Sequence, residues 1–307
     1  MPNGRAIAKT FLIDKSSKYT LNQRIAGITP HSNINPKFLS ITMNRNKYFL
    51  QFDDGVKQTN LSLNDMKKFE EFYPNKQEQD KIGELFTNLD NLITLHHRKF
   101  NHILAYKLGV KLFFFKFTKN VWEQRKLGEI INETIDNRGK NPPYYCESGI
   151  PIIDNFMIKN NGYPDLKIAT RYLDDYLFSN FIRKYNEKDD VLITLVGNGI
   201  GNIALFPKEK SAIVQNTIGM RFEHPKKFKY YSLLSKNNEI VKLDRGMAQP
   251  SIRQDELKNL DINLPTEKEQ SKIESLMTNL DNLITLHQRK LEKLKNIKKS
   301  MLDKMFV

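Results

Sequence analysis

The sequence predicts an α+β fold in which mixed strands and short helices accompany two long helices that pair as an antiparallel coiled coil. Residues 74–99 and 265–290 are identical at 18 of 26 positions, at a constant separation of 191, so the chain carries two copies of one structural unit. Apolar residues in both copies alternate spacings of three and four, which is the pattern of a coiled-coil helix. Residues 122–264 alternate short β-branched runs with polar turns, as a sheet-containing domain does.

Residues 1–73 repeat, more weakly, the sequence that precedes the second long helix. Gly55 and Gln58 match Gly246 and Gln249 at the separation of 191. Further upstream the separation becomes 193, in the pairs Gly4 and Gly197, Ile7 and Ile200, Leu12 and Leu205, and Ile25 and Ile218. We therefore expect residues 1–73 to be the C-terminal part of a module that residues 122–264 contain in full, with the first copy truncated at its N-terminus.

The segments 74–111 and 265–307 are predicted to be the two long helices. Pro74 and Pro265 precede them, at a position where a missing N–H costs little. The residues predicted to face the partner helix are Ile82, Leu85, Leu89 and Leu92 in the first helix and Ile273, Leu276, Leu280 and Leu283 in the second. His96 and His287 occupy matching positions on this stripe, and we expect these polar residues to set the register of the pair.

Residues 112–121 are predicted to be a linker that leads into the complete module. Within the module, strands are predicted at residues 150–153, 191–196, 201–206 and 260–264, with a further, kinked strand at 212–222. Residues 230–241 are predicted to be helical.

The charge of the chain favours a polyanionic partner. Its 49 Lys and Arg residues exceed its 35 Asp and Glu residues and leave a formal net charge of +14, which indicates nucleic acid before a membrane surface. The single cysteine, Cys146, excludes an intrachain disulfide and a four-cysteine zinc site. No segment approaches the ~18 consecutive apolar residues of a bilayer-spanning helix, and no apolar signal core follows Met1, so we expect a cytoplasmic protein.

Several loops carry the residue types that read DNA. Gln and Asn can make paired hydrogen bonds to adenine and Arg to guanine, while Gly lets backbone N–H groups approach phosphates. The candidate DNA-binding residues are Arg138, Lys140, Asn198, Asn202, Gln215, Asn216, Arg245, Gln249 and Ser251, together with Gln58 in the first copy. Because ordinary turns contain the same residue types, the stronger signal is the recurrence of glycine and glutamine at Gly55/Gln58 and Gly246/Gln249.

No pattern indicates catalysis or a metal site. The run Asn141-Pro142-Pro143-Tyr144 matches a tetrapeptide of amino-methyltransferases, but it follows a polar turn, and no glycine-rich cofactor loop precedes it. Gly197 begins a run that resembles part of a dinucleotide loop, yet a strand and not a helix is predicted to follow. The histidines lack a convincing ligand spacing. We therefore predict no catalytic residue, no metal and no cofactor in this chain.

Three features together resemble the specificity (S) subunit of type I restriction-modification systems, the HsdS family. Residues 122–130, with the sequence WEQRKLGEI, resemble the opening of a target-recognition domain. Residues 197–206 with Gln215-Asn216 resemble its middle. The spacer helices of the family are matched by Glu78-Gln79, Leu89-Asp90 and Ile93, and by Glu269-Gln270, Leu280-Asp281 and Ile284. The likeness covers essentially the whole chain, and the doubled spacer helix is its most specific part.

The resemblance implies a non-catalytic, sequence-specific DNA-binding subunit. It implies two target-recognition domains joined by antiparallel helices, with each domain reading one half of a split double-stranded DNA site. The helices would scaffold modification (methyltransferase) subunits that use S-adenosylmethionine, while ATP and Mg²⁺ would belong to a separate restriction (motor-nuclease) subunit. The truncated first copy leaves alternatives open: a chain that reads one half-site, two chains that pair to rebuild a two-domain unit, or a coiled-coil adaptor or relic that reads no DNA.

Overall fold

A computed structural model describes the chain from residue 7 to residue 305, apart from residues 14–17, 23–24, 45, 54–60, 118–121, 140 and 247–248. The chain forms two compact units, the first made of residues 1–101 and 285–307 and the second of residues 102–284. Helices and strands both occur, and the predicted α+β class is confirmed.

In chain order, the elements are α1 (Pro36–Met43), α2 (Lys47–Leu50), α3 (Leu63–Lys67), α4 (Lys76–Leu112), β1 (Glu123–Lys126), α5 (Leu127–Ile130), β2 (Glu133–Ile135), β3 (Ile150–Pro151), β4 (Tyr172–Leu173), α6 (Asp175–Phe181), β5 (Val191–Thr194), β6 (Ile203–Leu205), β7 (Thr217–Arg221), α7 (Lys226–Ser235), α8 (Asn237–Val241), α9 (Gln254–Lys258), β8 (Asp261–Leu264) and α10 (Glu267–Met305).

The regular elements of the first unit are all helices in its described residues. This unit holds α1, α2, α3, the beginning of α4 and the end of α10. Asn35 and Ser62 cap α1 and α3, because each side chain accepts a backbone N–H from the first turn of its helix. Phe38, Phe49 and Phe86 are almost completely buried and contribute to the apolar interior of this unit.

Both long helices begin in the same way, which accounts for part of the repeat. α4 has 37 residues and α10 has 39. The Gln79 side chain donates to the Pro74 carbonyl at 2.9 Å, and the Gln270 side chain donates to the Pro265 carbonyl at 2.8 Å. Both glutamines are buried. The shared proline-to-glutamine spacing therefore preserves a hydrogen bond where an unpaired amide would be costly.

In the first unit, α4 and α10 contact each other with opposite chain directions. His96 Nδ1 of α4 lies 3.0 Å from His287 Nδ1 of α10. Asp90 precedes His96 in α4, whereas Lys298, which donates to the Asp90 carboxylate, follows His287 in α10. The two helices therefore run antiparallel here, as the sequence predicts.

In the second unit, the remaining parts of the same helices are also joined by an ion pair. Lys107 of α4 donates to Asp281 of α10. These residues are the repeat counterparts of Lys298 and Asp90, each 191 positions away. The same residue pair thus occurs once in each unit, with the roles of the two helices exchanged. A regular coiled coil along the whole length of both helices stays a prediction.

The residues that are buried along the long helices differ in part from those predicted to face the partner helix. Five of the eight predicted residues are buried or half-buried, namely Ile82, Leu89, Ile273, Leu276 and Leu280. The other three are exposed, so the prediction was wrong for Leu85, Leu92 and Leu283. Phe86 and Met277 are buried instead. Each helix carries apolar residues on two adjacent stripes, and both stripes fit the alternation of three and four, so spacing alone could not select the buried one.

The second unit is built on a four-stranded antiparallel sheet with the strand order β2-β7-β5-β6. Two smaller antiparallel sheets pair β1 with β8 and β3 with β4. Strand β5 is buried at every position, which explains why its sequence is an unbroken run of apolar and β-branched residues.

The predicted strands of the module were mostly found, although with shorter bounds. Those at 191–196, 201–206 and 260–264 correspond to β5, β6 and β8, and the one at 150–153 corresponds to β3. The predicted kinked strand is reduced to β7, because Gln215 and Asn216 have φ angles of 43° and 57°, in the left-handed region that interrupts a strand. The predicted helix at 230–241 is two helices, α7 and α8.

The predicted linker at 112–121 begins as a continuation of α4. A π-helical turn, Phe113–Phe117, follows directly on α4, and residues 118–121 lie outside the described residues. Phe114 and Phe115 pack against the apolar core of the second unit, which accounts for the aromatic content of this segment. In the described part of the chain, no helix combines the length and the apolar character needed to cross a bilayer.

Candidate nucleic-acid interface

A glycine-rich turn connects β5 to β6 in the second unit. Gly197, Gly199 and Gly201 have φ angles of 83°, 83° and 76°, a backbone conformation that glycine adopts without steric cost. The N–H of Gly201 donates to the Thr194 carbonyl at 2.8 Å and closes the turn on the end of β5. The turn joins two strands, so it lacks the strand-to-helix context of a dinucleotide loop.

Two other loops meet at this turn. The Asn155 side chain donates to the Asn198 carbonyl at 2.8 Å, and the Pro250 carbonyl accepts the N–H of Gly197 at 2.9 Å. A β-carbon added at Gly197 would lie 3.8 Å from the amide nitrogen of Gln249 and 3.9 Å from that of Asn155. Asn198 and Gln249 are exposed and Asn155 is half-buried. We refer to Asn155, Asn198 and Gln249 as the amide cluster.

Asn202 belongs to the same turn, but its side chain is engaged within the module. Its Nδ2 donates to the Ile158 carbonyl at 2.9 Å, and its Oδ1 accepts from Asn160 at 3.1 Å. Asn160 also accepts the N–H of Ile203 at 2.6 Å. These bonds favour a structural role for Asn202 at the start of β6 over the predicted contact with DNA.

Gln215 and Asn216 form a left-handed turn directly before β7. The Asn216 carbonyl accepts the N–H of Leu195 at 2.7 Å and that of Val196 at 3.2 Å, so the turn is held against the residues that follow β5. Both side chains are partly exposed. The two predicted residues are therefore placed at the end of β5 from which the glycine-rich turn leaves.

The loop after α8 is closed by the carboxylate of Asp244. Its Oδ1 accepts the N–H of Gly246 at 3.0 Å and that of Ser251 at 2.8 Å. Arg245 is exposed, and its guanidinium lies 2.6 Å from Glu256. Of the predicted residues in this loop, Arg245 is exposed and forms an ion pair with Glu256. The backbone N–H of Ser251 is bound by Asp244.

Arg138 lies in a different polar cluster. Its Nε and Nη2 donate to the two carboxylate oxygens of Asp136 at 2.9 and 2.8 Å, and Gln254 donates to the same carboxylate at 2.5 Å. Burial acts to raise the pKa of Asp136, but the hydrogen bonds from Arg138 hold this pKa below its ordinary value. The charged carboxylate therefore occupies the face of the guanidinium that a guanine would need.

Exposed cations accompany the loops of the amide cluster in the chain. Lys159 lies four residues after Asn155, Lys242 precedes the loop that carries Gln249, and Arg253 follows it. All three side chains are exposed. Positive side chains beside exposed amides are the combination that suits phosphate contacts and base contacts in one interface.

Asn155 is a member of the amide cluster that the sequence did not predict. Asn155 stands between Asp154 and Phe156 after an apolar run, a context that ordinary loops share, so the sequence carries no signal that separates it from them. Its contact with Asn198, 43 positions away, identifies it. The predicted residues Lys140 and Gln58 lie outside the described residues.

The structure offers no built metal site in the ranges that it describes, because no group of three or more His, Cys, Asp and Glu side chains is arranged to hold an ion there. The tetrapeptide at residues 141–144 lies in a loop, and its Tyr144 hydroxyl donates to Asp174 at 3.3 Å. Residues 136–139, which the structure describes outside any strand, separate it from β2, whereas in amino-methyltransferases this motif directly follows a buried strand.

Comparison with known proteins extends these observations to most of the chain. A family model described as the type I restriction modification DNA specificity domain matches residues 4–105 and 119–296. The two matched ranges correspond to the two copies of the internal repeat.

Curated relatives come from Methanocaldococcus jannaschii. The type I restriction enzyme MjaVIII specificity subunit is 28% identical over 284 residues, which cover 81% of this chain and 64% of that protein. The type I restriction enzyme MjaIX specificity subunit is 24% identical, over 93% of this chain and 72% of that protein. The chain thus spans just under two thirds of the first of these relatives.

Solved structures with a similar fold are S subunits. The type I restriction-modification S subunit from M. genitalium superposes with a TM-score of 0.60 at 18% identity, over 88% of this chain and 72% of that one. The HsdS subunit from Thermoanaerobacter tengcongensis superposes with a TM-score of 0.52 at 18% identity, over 89% and 70%. At this identity the two structures support the fold.

Proposed function

Because the chain belongs to the type I restriction-modification DNA specificity family, we propose that its second unit reads one half of a bipartite double-stranded DNA target. The amide cluster carries this proposal. The amide side chains of Asn155 and Gln249 approach, from two other loops, the glycine-rich turn that carries the exposed Asn198. The glycines of this turn lack side chains, so a base edge could approach its backbone closely. Gln215 and Asn216 would add further polar contacts at the same end of β5.

Selection of bound fragments from a random DNA library tests the proposal and supplies the unknown target. We expect Gln249→Ala and Asn198→Ala to lower the affinity for the selected sequence by about 10- to 100-fold, since a paired amide–base contact contributes about 1–3 kcal/mol. Affinity for unrelated DNA should change little. Gln288→Ala, which removes an exposed glutamine from α10, is the matched control. Equal affinity of wild-type chain and variants for selected and unrelated DNA would instead favour an adaptor that reads no DNA.

The long helices are proposed to bind the modification subunits. α4 exposes Leu92 and Leu95, and α10 exposes their repeat counterparts, Leu283 and Leu286. Exposed leucines at matching positions of two near-identical helices supply the same apolar contact twice. This duplication supports a complex in which one chain of the present type binds two copies of a methyltransferase subunit, together with a restriction subunit.

Co-purification with the methyltransferase subunit tests the helix surfaces separately. We expect Leu92→Asp combined with Leu95→Asp to remove one bound copy, and Leu283→Asp combined with Leu286→Asp to remove the other, because a buried charge without a partner weakens an apolar contact. Asn91→Asp and Asn282→Asp, at exposed positions of the same helices, are the matched controls. Two copies retained by both leucine variants would contradict the proposal.

In this assignment the chain itself is a non-catalytic subunit. S-adenosylmethionine would be held by the modification subunits, and ATP and Mg²⁺ by the restriction subunit. Purified chain is expected to transfer no methyl group to DNA, whereas the complex with the modification subunit is expected to methylate adenines. Methyl transfer by the chain alone, lost in Asn141→Ala, would contradict this assignment.

A further inference from the structure

A small cavity lies within the second unit, between the end of α4 and the helices α7, α8 and α10. Its volume is about 320 Å³, which suits a small ligand or one group of a larger ligand. Two lysines and three asparagines supply most of its polar lining, and none of the described side chains that line it is acidic. The lining therefore favours an anion.

Lys107, the first of the two lysines, is ion-paired within the second unit. Its ammonium group donates to the Asp281 carboxylate and lies 5.8 Å from the centre of the Tyr231 ring. The Tyr231 hydroxyl donates to the same carboxylate at 2.7 Å. Because the repeat counterparts Lys298 and Asp90 form the same ion pair in the first unit, we assign Lys107 to the contact between the long helices.

Lys111 adds a second positive charge one helical turn further along α4. Its Nζ donates to the Leu234 carbonyl near the end of α7 at 3.1 Å. Burial, followed by the charge of Lys107, lowers the pKa of Lys111 below its ordinary value. In the ranges that the structure describes, no carboxylate lies within ion-pair distance of Lys111. The cavity thus holds a half-buried charge that an anion would stabilise.

The internal repeat indicates that Lys111 serves something other than the pairing of the long helices. At the separation of 191, Lys111 corresponds to Leu302, whereas the ion pair of Lys107 is present in both units. The bond to Leu234 stabilises the end of α7, since basic side chains bind the last carbonyls of helices. That bond uses one of the three N–H donors of the ammonium group, so two donors are left for a ligand.

The asparagine amides connect the cavity to the glycine-rich turn. Asn237 Nδ2 donates to the Gly201 carbonyl at 2.6 Å, and Asn160 Nδ2 donates to Asn202 Oδ1 at 3.1 Å. Each of these amide nitrogens carries a second N–H. Asn238, which is exposed, also lines the cavity. Several N–H donors therefore accompany the charge of Lys111.

We propose that this cavity, lined by Lys107, Lys111, Asn160, Asn237 and Asn238, binds a phosphate group. A phosphate offers several acceptor oxygens to these donors and more negative charge than a carboxylate. Lysine binds phosphate as a point charge and needs no paired geometry. A free phosphate compound and the DNA backbone present the same chemistry here, and the experiment distinguishes the two sources.

Competitive acetylation of the full chain, with mass spectrometry as the readout, tests the proposal. Inorganic phosphate at constant ionic strength should slow acetylation of Lys111 by about 10-fold when its concentration is about ten times the dissociation constant, because an occupied ammonium group is shielded. Duplex DNA is the second ligand tested. Lys99, at an exposed position of the same helix, is the internal control and should react at an unchanged rate.

The pattern of protection identifies the source of the phosphate group. Protection of Lys111 by inorganic phosphate and not by DNA would identify a free phosphate compound. Protection by DNA, with the salt slope of DNA binding reduced by about one in Lys111→Met, would identify the backbone. Protection of Lys111 by neither ligand, or equal protection of Lys99, would overturn the proposal.

Two variants test the affinity for the ligand that protects. Lys111→Met and Asn238→Asp should each weaken its binding by about 10-fold or more, because one removes a charge-assisted hydrogen bond and the other adds a negative charge. Since Asn238 is exposed, its variant tests the cavity even if Lys111→Met fails to fold. Lys99→Met and Asn279→Asp, at exposed positions, are the matched controls.

Unchanged affinity in both cavity variants would contradict the proposal. The arm with inorganic phosphate contains no DNA, so its outcome leaves the DNA-reading proposal untouched. Conversely, Gln249→Ala should leave the protection of Lys111 by phosphate unchanged, because Gln249 does not line the cavity.

Discussion

Hydrogen bonding distinguishes two asparagines of the glycine-rich turn that are equivalent candidates in the sequence. The Asn198 side chain is exposed, and its backbone carbonyl accepts a hydrogen bond from Asn155; within the described residues its side-chain amide has no protein partner. Both polar atoms of the Asn202 amide are bonded within the module, to Ile158 and Asn160. An amide that is free at the surface can exchange water for a base edge, whereas an engaged one would first have to break bonds inside the protein.

Asn202→Ala is therefore expected to lower the stability of the protein, whereas Asn198→Ala is expected to lower its affinity for the DNA target. Removing the Asn202 amide leaves the Ile158 carbonyl and the Asn160 amide unpaired and should lower the free energy of unfolding by about 1–3 kcal/mol. Asn198→Ala should change it by less than about 0.5 kcal/mol. Urea unfolding monitored by circular dichroism measures both values, and equal losses in the two variants would show that the hydrogen bonds of Asn202 are not the relevant difference.

The contact between His96 and His287 is expected to make the helix pair sensitive to acid. Burial, followed by the charges of His96, Lys99 and Lys290, lowers the pKa of His287 from its ordinary 6.5. The unfolded chain then binds this proton more tightly than the folded one, so the contribution of His287 to stability is complete above pH 6.5 and is lost as the pH falls through the lowered pKa.

Thermal unfolding at about pH 7.5 and about pH 5.5 measures this effect, because histidine changes its charge in this range. We expect the wild-type melting temperature to fall on acidification and His287→Asn to show a smaller fall. His97→Asn, at an exposed neighbouring position, should behave like the wild type. An unchanged fall in His287→Asn would assign the acid sensitivity to other groups.

At the scale of the elements, the long helices separate an inner from an outer apolar stripe. The inner stripe includes Phe86 and Leu89 in α4 and their counterparts Met277 and Leu280 in α10, all of them buried. The outer stripe includes Leu92 and Leu283, which are exposed. A helix that served only its own module would need one stripe. The second is therefore available for the proposed contact with the modification subunits.

Alanine substitutions should separate the two stripes. Phe86→Ala removes a fully buried ring and should lower the free energy of unfolding by about 3–5 kcal/mol, the usual loss for a phenylalanine in a packed interior. Leu92→Ala should cost much less, about 1 kcal/mol or below, because Leu92 is exposed at the surface and its removal leaves no enclosed cavity. Denaturant titration of the isolated chain gives both numbers. A loss of several kcal/mol in the free energy of unfolding of Leu92→Ala would show that Leu92 is buried and belongs to the inner stripe.

At the scale of the whole molecule, the net charge of +14 predicts binding of DNA that weakens steeply with salt. Each phosphate contact releases counterions, so the logarithm of the binding constant should fall with the logarithm of salt concentration by about 0.9 per contact. Lys159→Ala or Arg253→Ala should each reduce this slope by about one, if the exposed cation contacts a phosphate.

Gln249→Ala provides the contrast, because an uncharged amide releases no counterion. We expect it to lower affinity for the selected sequence at every salt concentration without altering the slope. Fluorescence anisotropy over a salt series measures slope and affinity together. A slope near zero for the wild-type chain would contradict an electrostatic interface.

The sequence by itself determined the features that depend on residues close together in the chain or on comparison of the chain with itself. The two long helices follow from the periodic apolar residues that come after Pro74 and after Pro265, and their kinship follows from the separation of 191. Strand β5 follows from an unbroken apolar run between polar turns. Local propensity and repetition suffice for such elements, as they do for the α+β class and the family resemblance.

Only the tertiary structure decided which side chains are exposed and which are engaged in contacts within the protein. Leu85 and Phe86 are adjacent and both apolar, yet one is exposed and the other buried, because the choice is made by residues that approach from elsewhere in the chain. Asn155 joined the amide cluster and Arg138 did not, since their partners, Asn198 and Asp136, lie 43 and two positions away. Burial and hydrogen bonding depend on which residues are neighbours in space. A periodic pattern predicts a helix with an apolar stripe, but it does not decide which of two stripes with the same spacing is buried.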